Sequence, residues 1–461
     1  MKQRNYIGTR AGSWVLLLCF LSALFLSGCG SVTRAAADTQ GTATITEYYT
    51  YGTFLQLKGK VVVSSEESVK KVSLVLRSGS SPEDEVYRAE LPFQTVSKGK
   101  ALTFRTSDKL DEGLCLETLP KGNFAALLEL TDSSGDVQLL SLRDGSAAKR
   151  GEASSGINYY TLPYRHGRRR VTASFETVGG TENLIFHIKR SRLPSDVYDI
   201  VVDPGHGGKD PGAQAAGYDE KDIVLDIGKR LASDLERAGY KVLLTRDGTE
   251  DPNVNMAYTE YDEDGRVNRT CGSRAKLCLS LHLNYNSHEN QSGVQIYKAR
   301  KAGNGFASFL ADGLVASTDL SYSTMGGRTA DGVYVRTFTN ADIREAQAKA
   351  KKKGYTFYNV STSTDYFFMI REYGCIATGA YVDGRNPEYG TNEYRTFPQG
   401  VESCLCELGF LSNEQDRQIL LNHQRGISRA LTDAVDAYIA SLYTTKETGT
   451  PSADLLAKET V

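Results

Sequence analysis

The spacing of hydrophobic positions changes once along the chain, close to Pro194. Before it, from about Ala43, short runs of β-branched, aliphatic and aromatic residues alternate with turn-forming clusters. Phe54-Leu55-Gln56-Leu57, Val72 to Leu76, Ala101 to Phe104 and Ala125 to Leu130 are such runs. Ser78-Gly79-Ser80-Ser81-Pro82, Lys121-Gly122-Asn123 and Asp132-Ser133-Ser134-Gly135 separate them. Short runs at this spacing, without helical periodicity, predict an all-β, sandwich-like domain over residues 43–190. Val171 to Phe175 and Leu184 to Ile188 add strands that either close the sandwich or lead into the next unit.

After Pro194 the period lengthens. Asp199-Ile200-Val201-Val202-Asp203 reads as a buried strand and runs into a glycine-rich loop. Glu220 to Ala238 then carries Ile223, Ile227, Leu231 and Leu235 at i+4 spacing, the pattern of a half-buried helix, with Gly239 as its stop. Lys241 to Thr245, Leu277 to Leu283 and Gly293 to Tyr297 are further strands. Alternating strands and helices predict an α/β domain over residues 197–443. Residues 29–42 read as a flexible tether and 444–461 as a disordered tail.

At 461 residues the chain is long enough for about three domains of roughly 150 residues each. Hydrophobic residues make up 40% and charged residues 24%, so cores can form along most of it. The net charge of −2 excludes a polybasic nucleic-acid binder, and no nucleic-acid partner is expected. Eight cysteines are too sparse for a disulfide scaffold. The N-terminus is a targeting segment: Lys2, Arg4 and Arg10 precede an apolar stretch from Trp14 to Leu26. Its 13 residues are fewer than the roughly 20 needed to span a membrane. It ends in Leu26-Ser27-Gly28-Cys29, which resembles the lipobox of bacterial lipoproteins. That resemblance implies removal of residues 1–28, a lipid on Cys29 and an extracytoplasmic chain tethered to a membrane. An ordinary secretory signal with an incidental Cys29 is the alternative.

Three segments of the α/β domain carry chemistry. Asp203-Pro204-Gly205-His206-Gly207-Gly208-Lys209-Asp210-Pro211-Gly212-Ala213 follows a strand, the place where open α/β sheets bind ligands. It fits neither a dinucleotide fingerprint nor a phosphate-binding P-loop. Glu220 opens the helix, and Ser280-Leu281-His282-Leu283-Asn284 places a histidine near a strand end. His206, Glu220 and His282 supply the ligand count of a catalytic zinc site, three protein ligands with one position left open. Taken singly, each has a plainer explanation: a hydrogen-bonded histidine after a turn, or an acid at a helix N-terminus.

These segments resemble the zinc-dependent N-acetylmuramoyl-L-alanine amidases of the bacterial cell wall. A fourth segment, Glu407-Leu408-Gly409-Phe410-Leu411-Ser412-Asn413, completes that family's pattern in order over Asp199 to Tyr443. The resemblance implies a twisted sheet flanked by helices, zinc held by His206, Glu220 and His282, and Glu407 as the catalytic carboxylate. It also implies peptidoglycan as substrate, and it marks Arg371 and Asn284 as candidate substrate-binding residues. Arg266-Val267 matches the family, whereas Thr270-Cys271 departs from it. Met369-Ile370-Arg371 resembles the family's strand ending in arginine, and an unusually long segment rich in tyrosine separates it from Glu407. Tyr366, Tyr373, Tyr381, Tyr389 and Tyr394 either line a sugar groove or pack that segment down. Asn340 to Lys353 reads as a solvated helix.

Cys404 and Cys406 alternate away from Glu407 and read as small buried hydrophobes, with a metal site as the lesser alternative. Cys271 and Cys278 are either bridged or free. Two rivals to an amidase remain. A serine hydrolase is opposed by the absence of any Gly-x-Ser-x-Gly motif. A non-catalytic, wall-binding lipoprotein on the same fold is opposed by retention of all four site residues.

Overall fold

The computed structural model describes residues 39–63, 69–96, 101–145, 156–164, 167–260, 262, 264–353, 360–374 and 399–444. The expected targeting segment with Cys29, the segment carrying Cys375, Tyr381, Tyr389 and Tyr394, and residues 445–461 lie outside them. Gln40 already donates its backbone N–H to the Leu139 carbonyl, and Thr42 opens a strand, so the end of the expected tether belongs to the sheet. At the other end the last helix runs through Thr444.

The runs before Pro194 are strands, and they form one sheet rather than two. Its main path runs Ile157–Tyr160, Arg169–Val178, Thr181–Arg190, Gly122–Asp132, Val137–Asp144, Thr42–Tyr51, Phe54–Val62, Ala101–Arg105 and Phe93–Val96. Val69–Arg77 pairs with the other edge of Gly122–Asp132. The two strands between Arg169 and Arg190 therefore belong to this unit and do not bridge onward. Ile45, Leu57, Leu74, Phe104, Leu128 and Phe186, from strands far apart in that order, share a single core.

The second sheet is ordered Val242–Leu244, Ile200–Pro204, Leu277–Asn284, Glu402–Phe410, Gln295–Tyr297, Val333–Tyr334 and Arg328–Ala330. Its first four strands are parallel. Helices Glu220–Arg237, Gly305–Ser317 and Gln424–Thr444 cover one face, where Ile227, Leu231, Leu281, Cys406, Leu431 and Val435 pack together. Helix Arg266–Gly272 and the short Phe368–Arg371 turn of helix cover the other, with Val201, Cys278, Leu405 and Tyr51. Cys404 and Cys406 point into the first core and Leu405 into the second, as strand alternation requires. Cys271 and Cys278 are buried thiols that form no disulfide among the described residues. The expected strand at Met369-Ile370-Arg371 is instead helical, because Arg371 folds back onto the carbonyls of Asp365 and Tyr366.

The β unit docks on the N-terminal ends of the parallel strands. There Arg168 pairs with buried Asp199, donating from Nη1 at 2.5 Å, and Gly52 N–H donates to the Gly400 carbonyl at 2.9 Å. Buried Glu117 accepts from Tyr159 Oη at 2.5 Å, from the Leu162 N–H and from Tyr443 Oη at 3.3 Å. Lys276 lies over the Tyr159 ring, and burial pushes its ammonium down to about 8 against the pull of Asp199 and Glu117. The opposite, C-terminal ends of the same strands are left open.

Candidate metal centre and cleft

At those open ends the three loops converge. Strand Ile200–Pro204 passes into Gly205 and then His206, whose φ of +62° is left-handed and rare for a side-chain-bearing residue. The turn is held from below. Arg246 donates to the carbonyls of Pro204 and Gly205, and Arg266 donates to the carbonyl of His206 at 2.6 Å. Arg266 also pairs with buried Asp203, which accepts from Thr245, Ser280 and Tyr373 hydroxyls. Tyr373 is thus a packing and hydrogen-bonding residue beneath the site, not part of a groove wall.

Glycine is required where the rings crowd the backbone. A Cβ on Gly205 would lie 2.2 Å from Cε1 of His282. One on Gly212, at φ +68°, would lie 2.5 Å from Glu220 Oε2.

Glu220 is the first residue of its helix and is almost fully buried. Its Oε2 accepts from the Ala213 N–H at 2.7 Å and faces His206 Nε2 at 3.1 Å. Its Oε1 accepts from the Leu283 N–H at 2.8 Å and faces His282 Nδ1 at 3.1 Å. One ligand atom from each of His206, Glu220 and His282 falls within 4.8 Å of the other two. His206 Nδ1 lies 2.9 Å from Asp210 Oδ2, a carboxylate that fixes the ring and leaves Nε2 for the centre. Burial alone would lower the His206 imidazole, but its hydrogen bonds to Asp210 and Glu220 hold it up at about 9. Burial likewise opposes ionisation of Glu220, yet the two histidines keep it well below the ordinary carboxylate range.

Glu407 stands beside this cluster on the neighbouring strand, where it is the register partner of His282. Burial, together with the charge of Glu220, pushes its carboxyl well above the ordinary range. Two polar atoms here, His282 Nε2 and Glu407 Oε2, are buried with no hydrogen-bond partner among the described residues. Unpaired buried polar atoms are costly, and two of them beside a His-Glu-His set fit a bound metal and its water.

The cluster opens into a cleft of about 560 Å³. One wall carries Phe338, Tyr366, Phe367 and Phe368. A second comes from helix Asn340–Lys353, whose Asp342, Glu345 and Lys349 face the cleft. That helix is largely exposed, as its charge pattern predicts, but one of its faces borders the site. Arg371 and Asn284 both line the cleft. Arg371 donates to the Tyr366 carbonyl and to Glu372 Oε1, and Asn284 donates to Gln295 Oε1 and accepts from the Tyr285 N–H. Arg246 supports the centre and was not singled out from sequence; of the parts it holds, only the glycine-rich loop was visible there.

A family model described as N-acetylmuramoyl-L-alanine amidase matches residues 200–437. The chain is 36% identical over 98 residues to the N-acetylmuramoyl-L-alanine amidase LytC of Bacillus subtilis, covering 21% of this chain and 18% of that protein. It is 31% identical over 150 residues to the germination-specific N-acetylmuramoyl-L-alanine amidase of the same organism, covering 31% and 62%. To AmiC of Neisseria meningitidis it is 26% identical over 249 residues, 52% of each chain. The chain thus spans less than two thirds of the length of each of these relatives. Among solved structures, the CwlD amidase of Clostridioides difficile, determined in complex with the GerS lipoprotein, aligns with a TM-score of 0.36 and 21% identity. That alignment covers 53% of this chain and 99% of CwlD.

Proposed function

The chain belongs to the N-acetylmuramoyl-L-alanine amidase family, and from that premise we propose that it hydrolyses peptidoglycan. The bond cut is the amide between the lactyl group of N-acetylmuramic acid and the L-alanine of the stem peptide. The convergence of His206, Glu220 and His282 within 4.8 Å, with Glu407 alongside, is the observation that carries this reading.

His206, Glu220 and His282 are the residues that would hold zinc. A zinc ion in such a site supplies Lewis-acid chemistry, polarising a carbonyl and making water nucleophilic near neutral pH. Glu220, kept ionised by the two imidazoles, contributes the anionic ligand. Asp210 holds His206 in the tautomer with Nε2 free. Glu407, raised by burial and by Glu220, has the proton affinity of a general base near neutrality. It takes the proton of the attacking water at a carboxylate oxygen and returns it to the departing alanine nitrogen. The cleft walls, aromatic on one side and charged on the other, orient the glycan and peptide. Cys29 carries the lipid that tethers the chain to the outer face of a membrane, within reach of the wall.

The test uses the full chain on purified, dye-labelled peptidoglycan with and without chelator, and mass spectrometry of the products. Chelator-sensitive release of peptides with a free alanine amino terminus is expected. Binding to the wall without release would instead favour the non-catalytic reading.

A further inference from the structure

A second concavity, of about 680 Å³, lies between helices Glu220–Arg237 and Gln424–Thr444. Its cationic lining is Lys229, Arg230, Arg237, Arg425 and Arg429, all exposed. Against these stand two carboxylates, Asp226 and Asp234. Asp234 is already committed: it pairs with Arg237 and accepts from Ser428 Oγ at 2.6 Å. Among the described residues Arg230 reaches only the Gln424 amide oxygen, at 3.3 Å. Lys229, Arg425 and Arg429 form no ion pair among the described residues. In a chain of net charge −2, three free cations in one groove are a local field that attracts anions.

We infer that this groove binds a linear polyanion carrying phosphate groups along its backbone. Four of the five cations are arginines, whose planar fork pairs with phosphate oxygens two at a time. The groove is a furrow between two helices, a shape that seats a strand. A bilayer surface would call for protruding apolar side chains. The large exposed ones, Val62, Val96, Val137, Tyr218, Val254 and Tyr285, all lie elsewhere. Among the described residues no aromatic side chain lines the groove, so it offers no platform for stacked bases, and the polymer it suits has a backbone without them.

The site is separate from the metal cleft. Its residues on the first helix, Asp226 to Arg237, lie about 9–26 Å along the axis from Glu220 at 1.5 Å per residue. A polymer held here leaves the cleft free, and binding is measurable whether or not the chain is an amidase.

The experiment measures binding of fluorescent inorganic polyphosphate by the full chain and by the Lys229→Glu, Arg425→Glu, Arg429→Glu variant. Anionic vesicles rich in phosphatidylglycerol and poly-glutamate serve as competitors. Thermal melting and zinc content check that the variant is folded with its metal site intact. The wild type is expected to bind polyphosphate in a salt-sensitive way, and the variant at least about tenfold more weakly, since each reversal replaces attraction by repulsion. Equal binding by the two proteins overturns the proposal. So does displacement of polyphosphate by vesicles at matched phosphate concentration, which would make the groove a headgroup site, or by poly-glutamate, which would make phosphate irrelevant.

Discussion

His282 and Glu407 are register partners on adjacent parallel strands, so their side chains emerge on the same face of the sheet at its open end. Residues far apart in sequence are thereby fixed about one strand spacing apart, roughly 4.8 Å between backbones. The pairing sets the proposed ligand His282 beside a carboxylate whose Oε2 has no hydrogen-bond partner among the described residues.

The first prediction follows from that arrangement. Glu407→Gln keeps the side chain's size and hydrogen bonding but removes its ability to accept a proton. Zinc content by elemental analysis should stay near one per chain, while activity falls by at least about 10²-fold, the scale of general-base loss. Loss of zinc together with activity would make Glu407 a ligand instead.

A second concerns the ligands themselves. Each of His206 and His282 gives one of three donors, and two remaining donors hold zinc poorly. His206→Ala and His282→Ala in the full chain should each lose most of the metal after dialysis, with melting temperatures measured alongside. Full retention in either variant removes that residue from the ligand set.

How far these residues were legible in the sequence depends on whether the signal was local. Glu220 at a helix start and His282 near a strand end follow from period and spacing. The one-sheet β unit does not, because it depends on the parallel pairing of Thr42 to Ile45 with Ser141 to Asp144, contacts nearly a hundred residues apart. Met369-Ile370-Arg371 resembles a strand ending in arginine, yet Phe368–Arg371 is a turn of helix from which Arg371 reaches back to nearby carbonyls. Asn340 to Lys353 carries the charges of a solvated helix, and nothing along it announces that Glu345 and Lys349 border the cleft.

A third prediction tests Asp210, which touches His206 but contributes no atom to the His-Glu-His set. It is a positioning residue. Asp210→Asn preserves its size while weakening its grip on His206 Nδ1, so zinc affinity should fall about 10–100-fold, the usual cost of losing such a carboxylate. Chelator competition reads that affinity directly, and melting of the metal-free protein should change little. An unchanged affinity would show that the Gly205–Gly208 turn alone orients the ring.

The last prediction concerns the join between the two units. Arg168 comes from the β unit and Asp199 from the start of the first parallel strand, and the Asp199 carboxylate is completely buried. Asp199 also accepts the Lys241 N–H at 2.7 Å, so removal of the guanidinium leaves it one backbone donor and the nearby buried Lys276. Breaking a buried pair from one side strands the other charge, at a cost of about 3 kcal/mol or more. Glu117, Tyr159 and Tyr443 form a second buried bridge across the same join. Because both bridges sit under the N-terminal ends of the catalytic strands, separating the units would expose charged groups that only the intact join satisfies. The full chain should therefore unfold in a single transition, and Arg168→Met should lower the stability of both units together. Far-ultraviolet circular dichroism reports the whole chain, and release of zinc reports the metal centre. Coincident transitions, displaced by the same amount in the variant, are the expected result. If zinc is lost at the wild-type temperature while the β unit melts early, the two units are independent and the buried pair only decorates their contact.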